Sequence, residues 1–242
     1  TEVGMRRSWK KATVNLNVYH MKYKDQLVLT GQINDVGGAL KTNVPDSYRL
    51  GLELAGAVDL ASKIKFEGNL TLSQNKIKSF VEYRDNWDTG LQEQIEYGET
   101  DIAFSPNVVA GGILTYASNY DVNYDEEDAF SISLSGKYVG KQFIDNTSNE
   151  DASLAAYFFS DLNLKYVMKS TFVEEIEFKL LVRNIFNNRF STNAWTYRFF
   201  SPSYNPVNDD PYAVQEGDGA YNLTGLYPQA GINFLAGINL KF

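Results

Sequence analysis

Hydrophobic and polar residues alternate along most of this chain with a period of two. From position 232 the even residues read Ile232, Phe234, Ala236, Ile238, Leu240 and Phe242, whereas Asn233, Asn239 and Lys241 fall among the odd ones. Successive side chains of a strand point to opposite faces, so this stretch has one apolar face and one mostly polar face. The pattern recurs upstream. Val14, Leu16 and Val18 oppose Asn15 and Asn17; Leu50, Leu52 and Leu54 oppose Arg49 and Glu53; Ile64, Phe66, Leu70 and Leu72 oppose Lys65, Glu67 and Asn69. Further on, Phe130, Ile132 and Leu134 oppose Ser131, Ser133 and Ser135; Leu162, Leu164 and Tyr166 oppose Asp161, Asn163 and Lys165; Ile176, Phe178 and Leu180 oppose Glu177 and Lys179. No segment carries the 3.6-residue period of a helix. The pattern predicts an all-β fold.

Nine strands follow from it, at 2–10, 12–30, 48–60, 64–80, 107–117, 128–143, 157–168, 175–186 and 231–242. The connections between them run short, long, short, long. Lys10-Lys11, 61–63, 118–127 and 169–174 are the short ones; 31–47, 81–106, 144–156 and 187–230 are the long ones. Tight turns on one side and long loops on the other describe an antiparallel, up-and-down transmembrane β-barrel, apolar outside and polar inside. Trp9, beside the first tight turn, and Tyr19, Tyr23 and Tyr138, toward the loop side, are expected in the aromatic girdles of such a barrel. Nine strands leave the two chain ends on opposite sides of the membrane, which predicts further strands before Thr1. The opening TEVGMRRSWKK reads as strand and not as an export signal, which fits a processed start or part of a longer chain.

Composition narrows the function. Hydrophobic residues make up 43% of 242 and the net charge is -8, so a packed structure is expected and a general nucleic-acid binder is not. The mean hydropathy of -0.33 does not separate a soluble protein from a barrel, whose strands average out. There is no cysteine and one histidine, which removes thiolate chemistry and multi-histidine zinc sites. His20 with Asp25 nearby is the remaining catalytic pair to consider, and the chain reads as a non-enzyme without cofactor or metal.

The stretch LLVRNIFNNRFSTNAW (180–195), followed by YPQAGINFLAGINLKF (227–242), resembles the last two strands of TonB-dependent outer-membrane receptors. In that family a penultimate strand runs into an Asn-(Leu/Ile)-Phe-Asn element, matched by Asn184, Ile185, Phe186 and Asn187. A long loop follows, then Tyr-Pro near the top of the final strand, matched by Tyr227 and Pro228, and a terminal aromatic, matched by Phe242. The segment from Val18 to Leu54 is similar to a strand-loop-strand unit of the same family. The resemblance implies that residues 1–242 are the C-terminal part of a 22-stranded barrel whose plug and N-terminal strands lie outside this chain. It implies active import of a scarce ligand across the outer membrane of a Gram-negative cell. A ferric siderophore, haem or cobalamin fits the terminal pattern better than a glycan does. Implied partners are outer-membrane lipid, the TonB complex through the missing N-terminal region, the small-molecule ligand, and the barrel-assembly machinery, which Gly237, Leu240 and Phe242 would address.

Two loop clusters carry candidate chemistry. Trp195, Tyr197, Arg198 and Tyr204 can stack on a ligand or grip an anion through the guanidinium. Asp209, Asp210, Glu216 and Asp218 crowd the same long loop without matching a calcium template. NYDEED (123–128) reads as a solvated turn, and the three Asn-X-Ser/Thr triplets, at Asn69, Asn146 and Asn222, carry no meaning in a bacterial barrel. The alternative of another class is a secreted or surface β-sandwich that binds carbohydrate through these loops.

Overall fold

The structure, a computed structural model, describes residues 1–118 and 129–242. Four strands open the chain: β1 (Glu2–Ser8), β2 (Ala12–Ile33), β3 (Ala39–Ala61) and β4 (Ile64–Ile77). A hairpin, β5 (Phe80–Asn86) and β6 (Leu91–Tyr97), and the two-residue β7 (Thr100–Asp101) precede β8 (Val108–Ala117) and β9 (Ala129–Val139). The chain continues through β10 (Gln142–Phe143), β11 (Ser153–Leu154), β12 (Tyr157–Lys169) and β13 (Glu175–Arg183). It ends with β14 (Ser191–Phe200), β15 (Ala213–Gln215), β16 (Tyr221–Pro228) and β17 (Asn233–Lys241).

Nine of these make one antiparallel meander in the order β1-β2-β3-β4-β8-β9-β12-β13-β17, with β7 added to β4. All the main-ladder registers are antiparallel, and the sheet does not close on itself: β1 pairs with β2 and β17 with β13. A sandwich would need two such sheets around one core. The single wall, with an apolar and a polar face along every strand, is that of an antiparallel transmembrane barrel. The turn between β8 and β9 and the acidic run 123–128 lie outside the described residues.

Register sorts the faces. Val58, Phe66, Leu114, Leu134, Leu162, Val182 and Phe234 stand side by side on one face. Aromatic residues bound this apolar band at both ends. Phe130, Tyr166 and Phe178 share one row near the short turns, and Tyr138 pairs with Phe158 near the long loops. Phe130 and Tyr138 are eight residues apart on β9, about 27 Å along a strand, which at barrel tilt gives a height of about 20 Å. That is close to the height of the lipid-facing band of outer-membrane barrels. The opposite face carries ion pairs such as Lys165–Glu177 and Lys179–Glu177, suited to a wet lumen.

Several expectations are corrected. The connection over 31–47 is not a loop. β2 and β3 run on as a ladder and leave only residues 34–38 as the turn. At 22 and 23 residues, these strands are about twice the length needed to cross a bilayer. The projecting half lies beyond the lipid, with Val28 and Val44 buried against other rim residues and Leu27 exposed, so the lipid-to-lumen alternation fades there. Tyr19 and Tyr23 are not girdle residues. Tyr19 pairs with Glu2 and lays its ring over Gly51 on the polar face, where a Cβ on Gly51 would stand 2.5 Å from the phenol. Tyr23 is on the same face by the count of two. Tyr138 does face lipid, and Trp9 is half-exposed with the Arg7 guanidinium 5.1 Å from its ring centre.

The three remaining long connections are also folded. The strands of 81–106 and 187–230 form a second sheet, β15-β16-β14-β5-β6, in which β14 and β5 pair in parallel at Phe199–Asp85 and Phe200–Asn86, while β11, from 144–156, pairs with β10 in a small sheet of its own. The second sheet caps the long-loop rim. Val28, Val44, Ile77, Phe80 and Ile102 form the apolar cluster that joins β2, β3 and β4 to β5 and the turn after β7.

Candidate functional site

Why three connections assemble into one cap is evident from the buried face of β5. Phe80, Glu82, Arg84 and Asn86 point the same way along the strand, and Arg84 is 1% exposed. A guanidinium so deeply buried needs partners for its donors. Arg84 donates to Glu82 at 2.7 Å, to Asp218 at 2.6 Å and to the Tyr97 hydroxyl at 2.6 Å, and Tyr97 in turn donates to Glu82 at 2.7 Å.

Arg198, on β14, shares this network. It is 4% exposed, donates through Nε to both oxygens of Glu216 at 3.0 and 2.8 Å, and adds a close ion pair from its terminal nitrogen. It also reaches both oxygens of Glu82 at 3.1 Å. Burial opposes the charged form, but the hydrogen bonds donated to Glu216 and the charges of Glu82 and Glu216 outweigh it and hold the guanidinium protonated well above its ordinary range. Asn149 and Asn222 also donate to Oε1 of Glu216, at 3.0 and 2.9 Å. Residues from all three connections thus meet on one pair of arginines. Arg198 is thus engaged by Glu82 and Glu216, and its buried guanidinium holds the cap together.

The other sequence-predicted residues are dispersed. Trp195 and Tyr197 lie on the face of β14 opposite Arg198. The Trp195 indole covers Gly225, where a Cβ would fall 2.0 Å from Nε1. Tyr197 donates to Asp85 at 2.7 Å, and Tyr204 is exposed with its hydroxyl bonded to Asp209. Asp210 caps the turn at Tyr212. Among the described residues no group of three or more His, Asp or Glu side chains is placed to hold a metal ion.

A chamber of about 110 Å3 opens beside Arg198, lined by Thr30, Gln32, Thr42, Glu82, Asp145 and Thr196 among others. Asp145 is buried there, accepting from the Thr147 amide at 3.0 Å and the Thr147 hydroxyl at 2.7 Å, both on one oxygen. Burial pushes its carboxyl up to about 6, with the Thr147 hydrogen bonds working in the other direction. Glu82 and Arg84 do carry a signal in the sequence, a polar set at every second position, Glu82-Arg84-Asn86, where a buried strand is expected to show apolar residues; Asp145 carries none.

At the rim, Asn184 and Asn187 both have φ of 51°, a left-handed backbone that Asn tolerates better than most residues. Asn184 accepts from Asn188 N at 3.0 Å and donates to Ala230 O at 3.1 Å, and Asn187 accepts from Ile232 N at 3.0 Å. The pair ties the end of β13 to the start of β17. Gly237 pairs with Lys179 on the lumen face, Leu240 pairs with Ile176 on the lipid face, and Phe242, 89% exposed, follows the end of β17.

Comparison with known proteins agrees with this architecture. The family model "TonB dependent receptor-like, beta-barrel" matches residues 1–187. No curated protein sequence matches the chain. Among solved structures, the siderophore receptor PiuA from Acinetobacter baumannii superposes with a TM-score of 0.62 at 15% identity, over 100% of this chain and 28% of its own. BauA, the ferric preacinetobactin receptor of the same organism, gives 0.62 at 13% identity, over 100% and 29%. The ferric yersiniabactin uptake receptor FyuA from Yersinia pestis gives 0.55 at 17% identity, over 100% and 29%. At these identities the likeness is one of fold, and this chain spans less than a third of the length of those receptors.

Proposed function

Because this chain belongs to the TonB-dependent receptor-like β-barrel family, an outer-membrane family, we propose that it forms nine wall strands and a cap of an importer for a scarce metal chelate. On this reading the complete barrel has 22 strands around a plug, residues 1–242 are its C-terminal part, and the protein is a transporter and not an enzyme. The observation that carries the reading is the family match over residues 1–187, on a wall whose lipid-facing band, aromatic borders and polar lumen face meet the demands of a spanning barrel. The siderophore receptors among the structural neighbours favour a ferric siderophore; haem and cobalamin belong to the same class of rare, large solutes. Tyr204, Trp195 and Tyr197 are the loop residues proposed to touch the solute, and Arg198 acts through the cap that it holds. Energy comes from a TonB complex acting on the N-terminal region, and assembly uses Gly237, Leu240 and Phe242 as the signal to the barrel-assembly machinery.

Deleting the full gene and growing the strain with single ferric siderophores, haem or cobalamin as the sole source tests this. Loss of growth on one of them, restored by the intact gene and not by a form lacking the TonB-contacting segment, is the expected result. Unimpaired growth on all of them, with loss of growth on an oligosaccharide, would replace the chelate by a glycan.

A further inference from the structure

The turn that closes β5 and β6 carries a tryptophan that the ion-pair network does not use. Trp87 is held at three points. Its backbone amide donates to the Phe200 carbonyl at 2.9 Å. The indole Nε1–H donates to the Tyr197 hydroxyl at 3.2 Å. One face of the indole lies on the Phe199 ring, with centroids 3.9 Å apart and planes 11° from parallel. Phe199 is fully buried and itself stacked on Tyr197 and Tyr221, so the support is rigid. Even so, Trp87 is 50% exposed. With its N–H satisfied and one face covered, the exposure belongs to the other ring face and its edge.

An indole fixed in this way loses little conformational entropy when something lies on it. Its surroundings state what that something is. The bare face presents the negative side of the ring quadrupole. Asp85 and Asp88 flank the turn, each accepting from neighbours, Gln92 and Tyr197 on Asp85 and Ser203 on Asp88, with lone pairs left over. The two arginines of the sheet are buried beneath it and paired. An anion laid on Trp87 would therefore meet a negative ring face, with Asp85 and Asp88 two residues and one residue away along the chain.

We propose that Trp87 is a stacking platform for a neutral pyranose ring, making the cap a glycan-binding surface in addition to any role in import. A pyranose has a face of C–H bonds, weakly positive and apolar, that matches the indole, and equatorial hydroxyls that donate to acceptor-only carboxylates. The platform adjoins Tyr197, one of the residues proposed to touch the imported solute, so oligosaccharide binding is read separately from growth on a chelate.

The full-length receptor, purified in detergent, is applied to an array of neutral oligosaccharides built from glucose, mannose, galactose or N-acetylglucosamine. A glucosamine hexamer serves as the cationic arm and ferric tris-catecholate as the anionic arm. The expected result is binding to at least one neutral oligosaccharide, weakened about tenfold or more by Trp87→Ala and partly kept by Trp87→Phe. The heat-dependent gel shift of the folded barrel should be unchanged in both variants. Three results overturn the proposal: no neutral oligosaccharide bound by the wild type, binding indifferent to Trp87→Ala in a folded barrel, or binding confined to the cationic or anionic arm.

Discussion

The side-chain amide of Asn146 donates to the backbone carbonyl of Leu29 across 2.6 Å while its oxygen accepts from Ala103 N at 2.8 Å. One fully buried residue of the β9–β12 connection is thereby bonded to the projecting part of β2 and to the turn that follows β7. Close by, the Ile144 carbonyl approaches Gly31 so closely that a Cβ there would lie 2.7 Å from it, and Gly31 has a φ of +84°. The cap is seated on the wall by these contacts.

Asn146→Ala leaves a buried acceptor and a buried donor without partners, each costing about 1–3 kcal/mol. Asn146→Asp is expected to be worse, since a carboxylate cannot donate to Leu29. Both changes should speed proteolytic nicking of the 144–156 connection while the barrel keeps its heat-dependent gel shift. Equal nicking of wild type and variants would mean that the cap does not depend on this seat.

Breaking the arginine network has a different signature. Arg198→Ala strands Glu216 and Glu82 with less compensation, a loss on the order of 3–5 kcal/mol for a buried pair. Glu216→Gln is milder, because Glu82 still faces Arg198. A double-mutant cycle on Arg198 and Glu216, read from cap opening by hydrogen exchange, should be strongly non-additive. Additive effects would show that the two residues act separately.

Asp145 makes cap stability depend on pH in a direction opposite to that of a paired carboxylate. Its folded value, about 6, lies above the unfolded one, so between about pH 4 and pH 6 the native state holds the extra proton and stability falls as pH rises. Above the folded value the cost levels off at about 3 kcal/mol at most. Asp145→Asn removes the charge. The variant should therefore equal wild type near pH 4 and exceed it near pH 8, followed by the midpoint of thermal loss of the cap. A difference that is largest at low pH would contradict the burial argument.

How much of this was legible in the sequence follows from what each strand meets. The wall strands lie between lipid and a wet lumen, and that contrast writes a period of two into Phe130 to Tyr138 and Ile176 to Val182. Above the membrane the contrast disappears. β5 buries Arg84, turns the largely covered Glu82 the same way and exposes Val81 and Tyr83, so its hydrophobic pattern is inverted and the hairpin reads as loop. The projecting parts of β2 and β3 are held by the backbone ladder and by the cluster that contains Val28 and Val44, which a count of alternating residues does not register. For the same reason Arg198 read as an exposed grip for an anion. Its partners Glu82 and Glu216 lie far off in sequence or beyond a turn, and only the parallel β14–β5 contact brings them together.

The assignment of faces is itself testable with two neighbouring positions. Leu134 sits midway between Phe130 and Tyr138 on the lipid face, paired with Leu114 and Leu162, so its side chain lies near the middle of the apolar band. Ser135, the next residue, faces the lumen with Asp161. Arginine at the bilayer midplane costs about 2–4 kcal/mol in a barrel, whereas a lumen arginine keeps water and gains a carboxylate opposite. Leu134→Arg should thus lower the folded yield of the full receptor in lipid bilayers and shift its urea midpoint downward, and Ser135→Arg should leave both nearly unchanged. The reverse order would place the lumen on the apolar side and invert the wall.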